Sequence, residues 1–323
     1  MRDHGGDLDR AKREYGEGDW LDLSTGINPV PWRVPDIPAD VWAALPTRQA
    51  LAGLIDSARA AYNTPHGIVP VSGAQEAIQI VPRLAQAGLA RIVSPTYNEH
   101  GAALIAQGWQ VQEVDGLEGL TGAELAVVVN PNNPTGMCYD PDKLLAVSRD
   151  LGLLVVDESF ADPTPSYSLA SRTQLPGNIL ILRSFGKFYG LAGLRLGFAL
   201  GSGELVQRVA EIAGPWAVSG PAIQIGRAAL GDTVWQAATS KRLFADAERL
   251  DGLAKAAGWD LVGGTPLFRT YETGNAMRAQ EQLAKAHVWS RIFPYSEGWL
   301  RLGLPGTAAG WARLESALGG SAQ

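Results

Sequence analysis

Six positions whose residue types could do chemistry lie just beyond the ends of short apolar runs. They supply a lysine, an acid, an arginine, a tyrosine, an asparagine and a Ser-Gly turn, namely Lys187, Asp157, Arg195, Tyr97, Asn133 and Ser72-Gly73. In an open sheet of parallel strands, ligands bind at the carboxyl ends of the strands. We therefore expect these positions to meet at one edge of a sheet.

Each of these residues also has an ordinary structural explanation when it is taken alone. Lys187 could be a solvated surface lysine, Tyr97 a core residue, and Arg195 the partner of any nearby acid. Asp157 could cap a helix, and Ser72-Gly73 could be only a turn. The combination favours a shared site, because independent accidents would have to place all six at strand ends.

The set contains what pyridoxal phosphate requires from a protein. That cofactor needs a lysine amine to form an imine, an acid to keep its pyridine nitrogen protonated, donors for its phosphate and an aromatic face for its ring. Lys187 and Asp157 can supply the amine and the acid. Gly73, Ala74 and Gln75 open a predicted helix, where free backbone N–H groups can bind a phosphate. We therefore predict pyridoxal 5'-phosphate as the cofactor.

The elements that must position these residues alternate along the chain. Between about residues 65 and 200, short β-branched runs are followed by helical segments. This order predicts an α/β fold with a largely parallel sheet covered on both faces. The predicted strands are 67–71, 91–93, 110–114, 125–129, 153–156, 178–182 and 196–200, and the predicted helices between them are 74–86, 99–107 and 140–151.

The composition changes along the chain and predicts three parts. Residues 1–40 are polar and then rich in proline, which favours an extended N-terminal arm over a packed helix. Residues 41–214 contain the predicted sheet and are expected to form the large cofactor-binding domain. Residues 215–323 contain long helical segments and short strand-like pieces, so we expect a smaller α+β domain there.

The overall composition excludes several classes of function. The chain is 46% hydrophobic and 19% charged, and its formal charge of −6 gives no indication of binding to nucleic acid or to an anionic membrane. No apolar run reaches the roughly 18 to 20 residues that cross a bilayer, and the N-terminus lacks an apolar signal stretch, so we expect a cytoplasmic protein. One cysteine and four scattered histidines predict neither an internal disulfide nor a metal site.

Three longer motifs extend the pattern of candidate site residues. They are Asn-Pro-Asn-Asn-Pro-Thr-Gly at 130–136, Val-Asp-Glu at 156–158, and Ser-Phe-Gly-Lys with Gly-Leu-Arg-Leu-Gly at 184–197. Together they resemble the signature of the fold-type-I pyridoxal-phosphate enzymes of the class I and II aminotransferase group. The resemblance implies the aspartate-aminotransferase-like fold, with a mostly parallel seven-stranded sheet in the large domain and a smaller α+β domain. It also implies a homodimer, in which the N-terminal arm, residues 1–40, is expected to pack on the small domain and on the partner subunit.

The same resemblance implies a role for each site residue. Lys187 would be the Schiff-base lysine, Asp157 the partner of the pyridine nitrogen, and Asn133 a donor to the ring hydroxyl. Tyr97 would stack on the cofactor ring. The cofactor phosphate would be bound by Gly73, Ala74, Gln75, Ser184 and Arg195. Arg301, together with Asn133, would bind the substrate carboxylate, which suits the planar fork of a guanidinium.

Other segments narrow the resemblance within the group. Four segments are most similar to the threonine-phosphate decarboxylases of the cobalamin pathway: His4-Gly5-Gly6-Asp7, 21–29, Asp157-Glu158-Ser159-Phe160 and 183–193. The similarity implies decarboxylation of L-threonine O-3-phosphate to (R)-1-amino-2-propanol O-2-phosphate. Arg291, with His4 and Asn28, would then bind the substrate phosphate.

Two other functions stay open at this point. Histidinol-phosphate aminotransferases look similar through the core, but aminotransferases of this group have a tyrosine that bonds the ring hydroxyl where this chain has Phe160. A phenylalanine cannot donate that hydrogen bond. A pyridoxal-phosphate sensor without turnover is the third hypothesis, and the sequence disfavours it because no helix-turn-helix segment or basic stretch is attached.

Overall fold

The computed structural model describes residues 4–319, which divide into two compact units. The central unit consists of Trp32–Asn133 and Met137–Ala237. The terminal unit consists of the described residues up to Pro31, the short segment Pro134–Gly136, and the described residues from Ala238 onward. The domain limits expected from composition, 1–40, 41–214 and 215–323, stay a prediction.

Twelve α-helices lie within residues 4–319, and several begin at a side chain that accepts a backbone N–H, as Thr47, Asp140 and Ser219 do. The helices are α1 (Leu8–Tyr15), α2 (Ala39–Ala43), α3 (Arg48–Ala61), α4 (Ala74–Ile80), α5 (Glu99–Ala106), α6 (Pro141–Val147), α7 (Phe185–Phe188), α8 (Gly203–Ala213), α9 (Gly220–Leu230), α10 (Thr233–Ala256), α11 (Ala276–Lys285) and α12 (Ala308–Gly319). Within this described part of the chain, no helix combines the length and the apolar character needed to span a membrane.

Thirteen β-strands in the same residues form three sheets. The strands are β1 (Leu21–Asp22), β2 (Gly67–Val71), β3 (Leu89–Val93), β4 (Gln110–Val114), β5 (Leu125–Val129), β6 (Leu153–Asp157), β7 (Ile179–Ser184), β8 (Gly197–Gly201), β9 (Asp260–Thr265), β10 (Phe268–Glu272), β11 (Val288–Trp289), β12 (Arg291–Phe293) and β13 (Ser296–Gly303). All seven strands predicted between residues 65 and 200 are present, and their ends differ from the predicted ones by at most two residues.

The central unit contains a seven-stranded sheet in the order β2-β8-β7-β6-β5-β3-β4. Strands β5 and β6 are buried along their whole length, which explains why both are continuous apolar runs in the sequence. Only β8 runs antiparallel to its neighbours, β2 and β7. The amino end of β8 therefore lies at the edge where the other strands have their carboxyl ends. This topology confirms the predicted α/β fold with a mostly parallel sheet.

The terminal unit contains the antiparallel sheet β12-β13-β10-β9 and the short parallel pair β1-β11. The expectation that the first 40 residues are extended was wrong for Leu8–Tyr15, which form α1. Asp7 caps this helix, and Ala11 is fully buried in a cluster with Ala284 and Trp289. The prolines that disfavour a helix begin only at Pro29. The short amphipathic helix lies before them, and the average composition of residues 1–40 did not reveal it.

Candidate active site

Asp157 lies at the carboxyl end of β6, is only 2% exposed, and is held by three hydrogen bonds. His100 Nε2 lies 2.8 Å from Oδ2, and Ser159 donates from its backbone N and its Oγ to Oδ1 at 2.9 and 2.5 Å. Burial alone raises the pKa of Asp157, but the bonds from His100 and Ser159 outweigh burial and hold this pKa below its ordinary value. The carboxyl is therefore ionised at neutral pH although water does not reach it.

His100 is a site residue that the sequence analysis missed. It lies in the first turn of α5 and is 1% exposed, and its ring is edge-on to that of Tyr97, with the centroids 6.2 Å apart. It is separated from Asp157 by 57 positions in the chain, so only the fold brings the two together. The one available signal was a histidine three residues after Tyr97, at the start of a helix that is otherwise mostly apolar.

Lys187 lies on α7, directly after β7, which is the neighbour of β6 in parallel register. Asp157 ends β6 and Lys187 follows the end of β7, so both residues lie at the same edge of the sheet. The Nζ atom is 5.7 Å from the centroid of the ring of Phe160, which is 4% exposed and comes three residues after Asp157. The lysine amine is thus in contact with the loop that begins at the buried carboxylate.

The turn between β2 and α4 forms a cradle that an arginine covers. Gly73 has a φ of +78°, and a Cβ placed on it would be 2.6 Å from Nη2 of Arg195. A Cβ on Gly197 would be 2.5 Å from the backbone N of Ala74, so the amino end of β8 also lies tightly against this turn. A guanidinium beside the backbone N–H groups that open a helix is a suitable arrangement for a phosphate dianion. Ser184 pairs with Gly197 in the sheet and so lies next to the cradle.

The side chains of Tyr97 and Gln75 are joined by a hydrogen bond. The Tyr97 hydroxyl donates to Oε1 of Gln75 at 3.2 Å, and Nε2 of Gln75 donates to the buried carboxylate of Glu99 at 3.3 Å. The amide of Gln75 therefore orients the tyrosine ring, while its backbone N–H belongs to the first turn of α4. A contact between Gln75 and a cofactor phosphate stays a prediction.

The loop after β5 brings Asn133 to the same edge of the sheet. Asn132 fixes this loop, because its Oδ1 accepts from Thr96 Oγ1 at 2.6 Å and its Nδ2 donates to the Pro95 carbonyl at 3.0 Å. The half-buried Asn133 follows directly, and Tyr97 follows Thr96 on the other loop. The central unit thus gathers all nine residues predicted to bind the cofactor at one sheet edge.

Glu158, the neighbour of Asp157 in the sequence, takes part in a buried ion cluster instead. It is fully buried and accepts from Arg183 Nη1 at 3.0 Å and from the backbone N of Leu169 at 2.7 Å. Arg183 Nη2 donates to Asp162 at 2.8 Å, and its guanidinium lies 4.4 Å from the centroid of the Tyr62 ring. Burial raises the pKa of Glu158 even though Arg183 opposes this. The cluster therefore connects the residue that follows Asp157 to β7, the strand that precedes Lys187.

The residues predicted to bind substrate anions, apart from Asn133, belong to the terminal unit. Arg301 is 6% exposed, and its Nη2 donates to the Ser24 carbonyl at 2.6 Å while its guanidinium lies 5.1 Å from the centroid of the Phe268 ring. Arg291 on β12 is directly opposite Arg301 on β13, so both side chains are on one face of the sheet. Like charges in that arrangement repel one another, and anions bound beside them relieve the repulsion.

The N-terminal loop of the terminal unit lies along the end of β13. The backbone N of Gly6 donates to Ser24 Oγ at 2.7 Å, which places the exposed His4 close to the loop that holds Arg301. Asn28, in the same loop, is 1% exposed. The terminal unit therefore brings His4, Asn28 and Arg301 into one region of the protein.

The chain is similar to known proteins along nearly its whole length. Residues 43–317 match the family described as aminotransferase class I and II. Threonine-phosphate decarboxylase of Sinorhizobium sp is 44% identical, with 98% of this chain and 97% of that protein covered, and that of Pseudomonas aeruginosa is 42% identical with the same coverage of 98% and 97%. Histidinol-phosphate aminotransferase of Sinorhizobium meliloti, solved in complex with pyridoxal-5'-phosphate, has the same fold, with a TM-score of 0.85 at 17% identity over 99% of this chain and 95% of that chain. These similarities confirm the family predicted from the motifs.

Proposed function

Because the chain belongs to the class I and II aminotransferase family, we propose that it is a pyridoxal-phosphate enzyme that decarboxylates L-threonine O-3-phosphate. The products are (R)-1-amino-2-propanol O-2-phosphate and carbon dioxide, as in the cobalamin pathway. The two full-length relatives named threonine-phosphate decarboxylase support this proposal.

The observation that carries the use of pyridoxal phosphate is the buried carboxylate of Asp157. A group that is 2% exposed and still ionised is suited to hold a protonated ring nitrogen through a charge-assisted hydrogen bond. When bound, the cofactor provides an electron sink for the electron pair left behind when a bond to the substrate Cα breaks. Lys187 provides the amine that holds the cofactor, and Arg195 with the Gly73 turn binds its phosphate. The residues present therefore fit this cofactor.

The terminal unit supports a substrate with two anionic groups. Arg301 binds the carboxylate, and Arg291, with His4 and Asn28, binds the phosphate. Two guanidinium groups opposite one another on adjacent strands suit such a substrate, because each can neutralise one anion. Threonine phosphate carries both groups.

The reaction outcome depends on what surrounds Lys187. Phe160 lies beside its amine and has no hydroxyl to donate, unlike the tyrosine of the aminotransferases in this group. After the carboxylate leaves as carbon dioxide, Lys187 returns a proton to the Cα of the product. A phenylalanine at position 160 and return of the proton to Cα favour decarboxylation over exchange of the amino group.

Product analysis with L-threonine O-3-phosphate tests the proposal. We expect carbon dioxide and the amino alcohol phosphate in equal amounts, with or without 2-oxoglutarate, and no turnover by the Lys187→Ala variant. Formation of glutamate from 2-oxoglutarate without carbon dioxide would establish the aminotransferase alternative instead. Bound cofactor without either product would favour the sensor.

The homodimer and the cytoplasmic location are part of the proposal. Large apolar side chains on the surface of the central unit support a second copy as partner, among them Trp42 at 67%, Leu45 at 66% and Trp216 at 60% exposure. Light scattering on the purified protein tests the dimer, for which we expect twice the chain mass of 34.3 kDa.

A further inference from the structure

Arg242 on α10 makes a short hydrogen bond to a residue of the candidate phosphate site. Its Nη2 donates to Oδ1 of Asn28 at 2.6 Å, and its Nη1 is paired with Asp246 at 2.9 Å, one turn further along the same helix. Asn28 and Arg242 are 214 positions apart in the chain. No motif in the sequence marks Arg242 as a site residue.

These contacts fix which way the amide of Asn28 points. Its Oδ1 accepts two hydrogen bonds, from Arg242 and from the backbone N of Val30 at 3.1 Å. The carbonyl end of the amide is therefore committed to protein donors, and the N–H end points the opposite way. The N–H end is the one that a phosphate can accept from, whereas the carbonyl end would repel it.

We propose that Arg242 is a positioning residue for substrate specificity, which holds the amide of Asn28 so that it donates to the phosphate of the substrate. The inference rests on the proposed function, because it takes Asn28 to be a phosphate ligand. It goes beyond that function in assigning selection of a phosphorylated substrate to a residue outside the predicted site. Asp246 supports the arrangement by fixing the guanidinium, whose side chain is 29% exposed.

The test measures phosphate recognition separately from turnover. In Arg242→Met we expect the KM for L-threonine O-3-phosphate and the inhibition constant of inorganic phosphate each to rise about tenfold, the scale of one charge-assisted hydrogen bond, with kcat changed less than about twofold. The rise in thermal midpoint caused by inorganic phosphate should shrink in parallel, which gives a readout without turnover. Arg242→Lys keeps a cation that can reach Asn28 and should recover part of the loss.

Arg249→Met is the matched control, because Arg249 lies on the same helix but packs on the ring of Trp311, 4.4 Å from its centroid. It should leave phosphate inhibition unchanged. In an Asn28→Ala background, Arg242→Met should cause no further loss, since Arg242 acts through Asn28.

Two results overturn the inference. One is an Arg242→Met variant that has a lower thermal midpoint but an unaltered inhibition constant for phosphate. Arg242 would then have only a structural role. The other is full additivity with Asn28→Ala. In both cases decarboxylation by the wild-type protein would leave the proposed function standing, whereas absence of carbon dioxide from the wild-type protein would contradict the proposed function and this inference with it.

Discussion

Replacing His100 by leucine tests whether a buried histidine keeps Asp157 ionised. The change removes the donor 2.8 Å from Oδ2 and leaves only the two bonds from Ser159. A hydrogen bond to a charged group contributes about 1.5–3 kcal/mol. Because Asp157 is 2% exposed, water cannot replace the lost donor, and we expect the free energy of unfolding at pH 7 to fall by about 2–3 kcal/mol.

The pH dependence of stability should change in a defined direction. In the wild-type protein the pKa of Asp157 lies below its ordinary value of 3.8. The ionised carboxylate therefore stabilises the fold above pH 3.8, and this stabilisation is lost as the pH falls through the lowered pKa. In His100→Leu burial still raises this pKa, but the bond that opposed burial most is gone. The share of the acid-induced loss of stability that comes from Asp157 should therefore become smaller, and it turns into a gain if the pKa of Asp157 rises above 3.8.

Urea unfolding between pH 4 and 8 and titration of the apoprotein with pyridoxal phosphate give the two measurements. We expect affinity for the cofactor to fall at least about tenfold, because losing the His100 bond makes the ionised form of Asp157 less favourable, and that form makes the charge-assisted bond to the ring nitrogen. His66→Leu is the control, since His66 Nε2 contacts the Arg172 carbonyl at 2.7 Å and should affect stability but not cofactor affinity. Unchanged affinity and an unchanged pH profile in His100→Leu would refute the reasoning.

Three further substitutions have expected outcomes. Gly73→Ala should weaken cofactor binding more than about tenfold in the same titration, because its Cβ would displace Arg195, whereas Gly122→Ala, at a similar φ of +82° with nothing within 4 Å, should cost only about 1 kcal/mol of stability. Arg183→Met should lower the free energy of unfolding by about 3–5 kcal/mol, because it leaves Glu158 and Asp162 buried without their cation, and adding Glu158→Gln should recover part of this loss in urea unfolding. Ala11→Leu should lower it by about 1–3 kcal/mol through overpacking beside Trp289, and an unchanged thermal midpoint would contradict the packing of α1.

The sequence was sufficient where local pattern and structure coincide. The runs at 125–129 and 153–156 are apolar throughout because β5 and β6 are buried on both faces, and a strand of that kind needs no tertiary information to be found. Asp157 could be predicted because it closes such a run, and Lys187 because it comes three residues after the mostly apolar strand β7; parallel strands end at one edge of the sheet.

The remaining parts of the site depend on contacts between distant segments. His100 meets Asp157 across 57 positions and Arg242 meets Asn28 across 214, and no local pattern marks either pair. Glu158 is adjacent to Asp157 in the sequence and shares a motif with it, but its hydrogen-bond partner is Arg183, which lies 25 positions further on, inside an apolar strand. The helix α1 was missed for a different reason, because the prolines after residue 28 dominated the composition of the whole segment.

The reversed direction of β8 has a consequence for how this chain can vary in length. The segment from Lys187 to Arg195 leaves and re-enters the sheet at the same edge, so it carries both the amine and the guanidinium. Inserting or deleting one residue there would change the spacing along the chain between these two proposed anchors of the cofactor. The partly exposed turn at 173–177 lies before β7, at the far edge of the sheet, where added residues change neither anchor. An engineered insertion is therefore better tolerated at that turn than between Lys187 and Arg195.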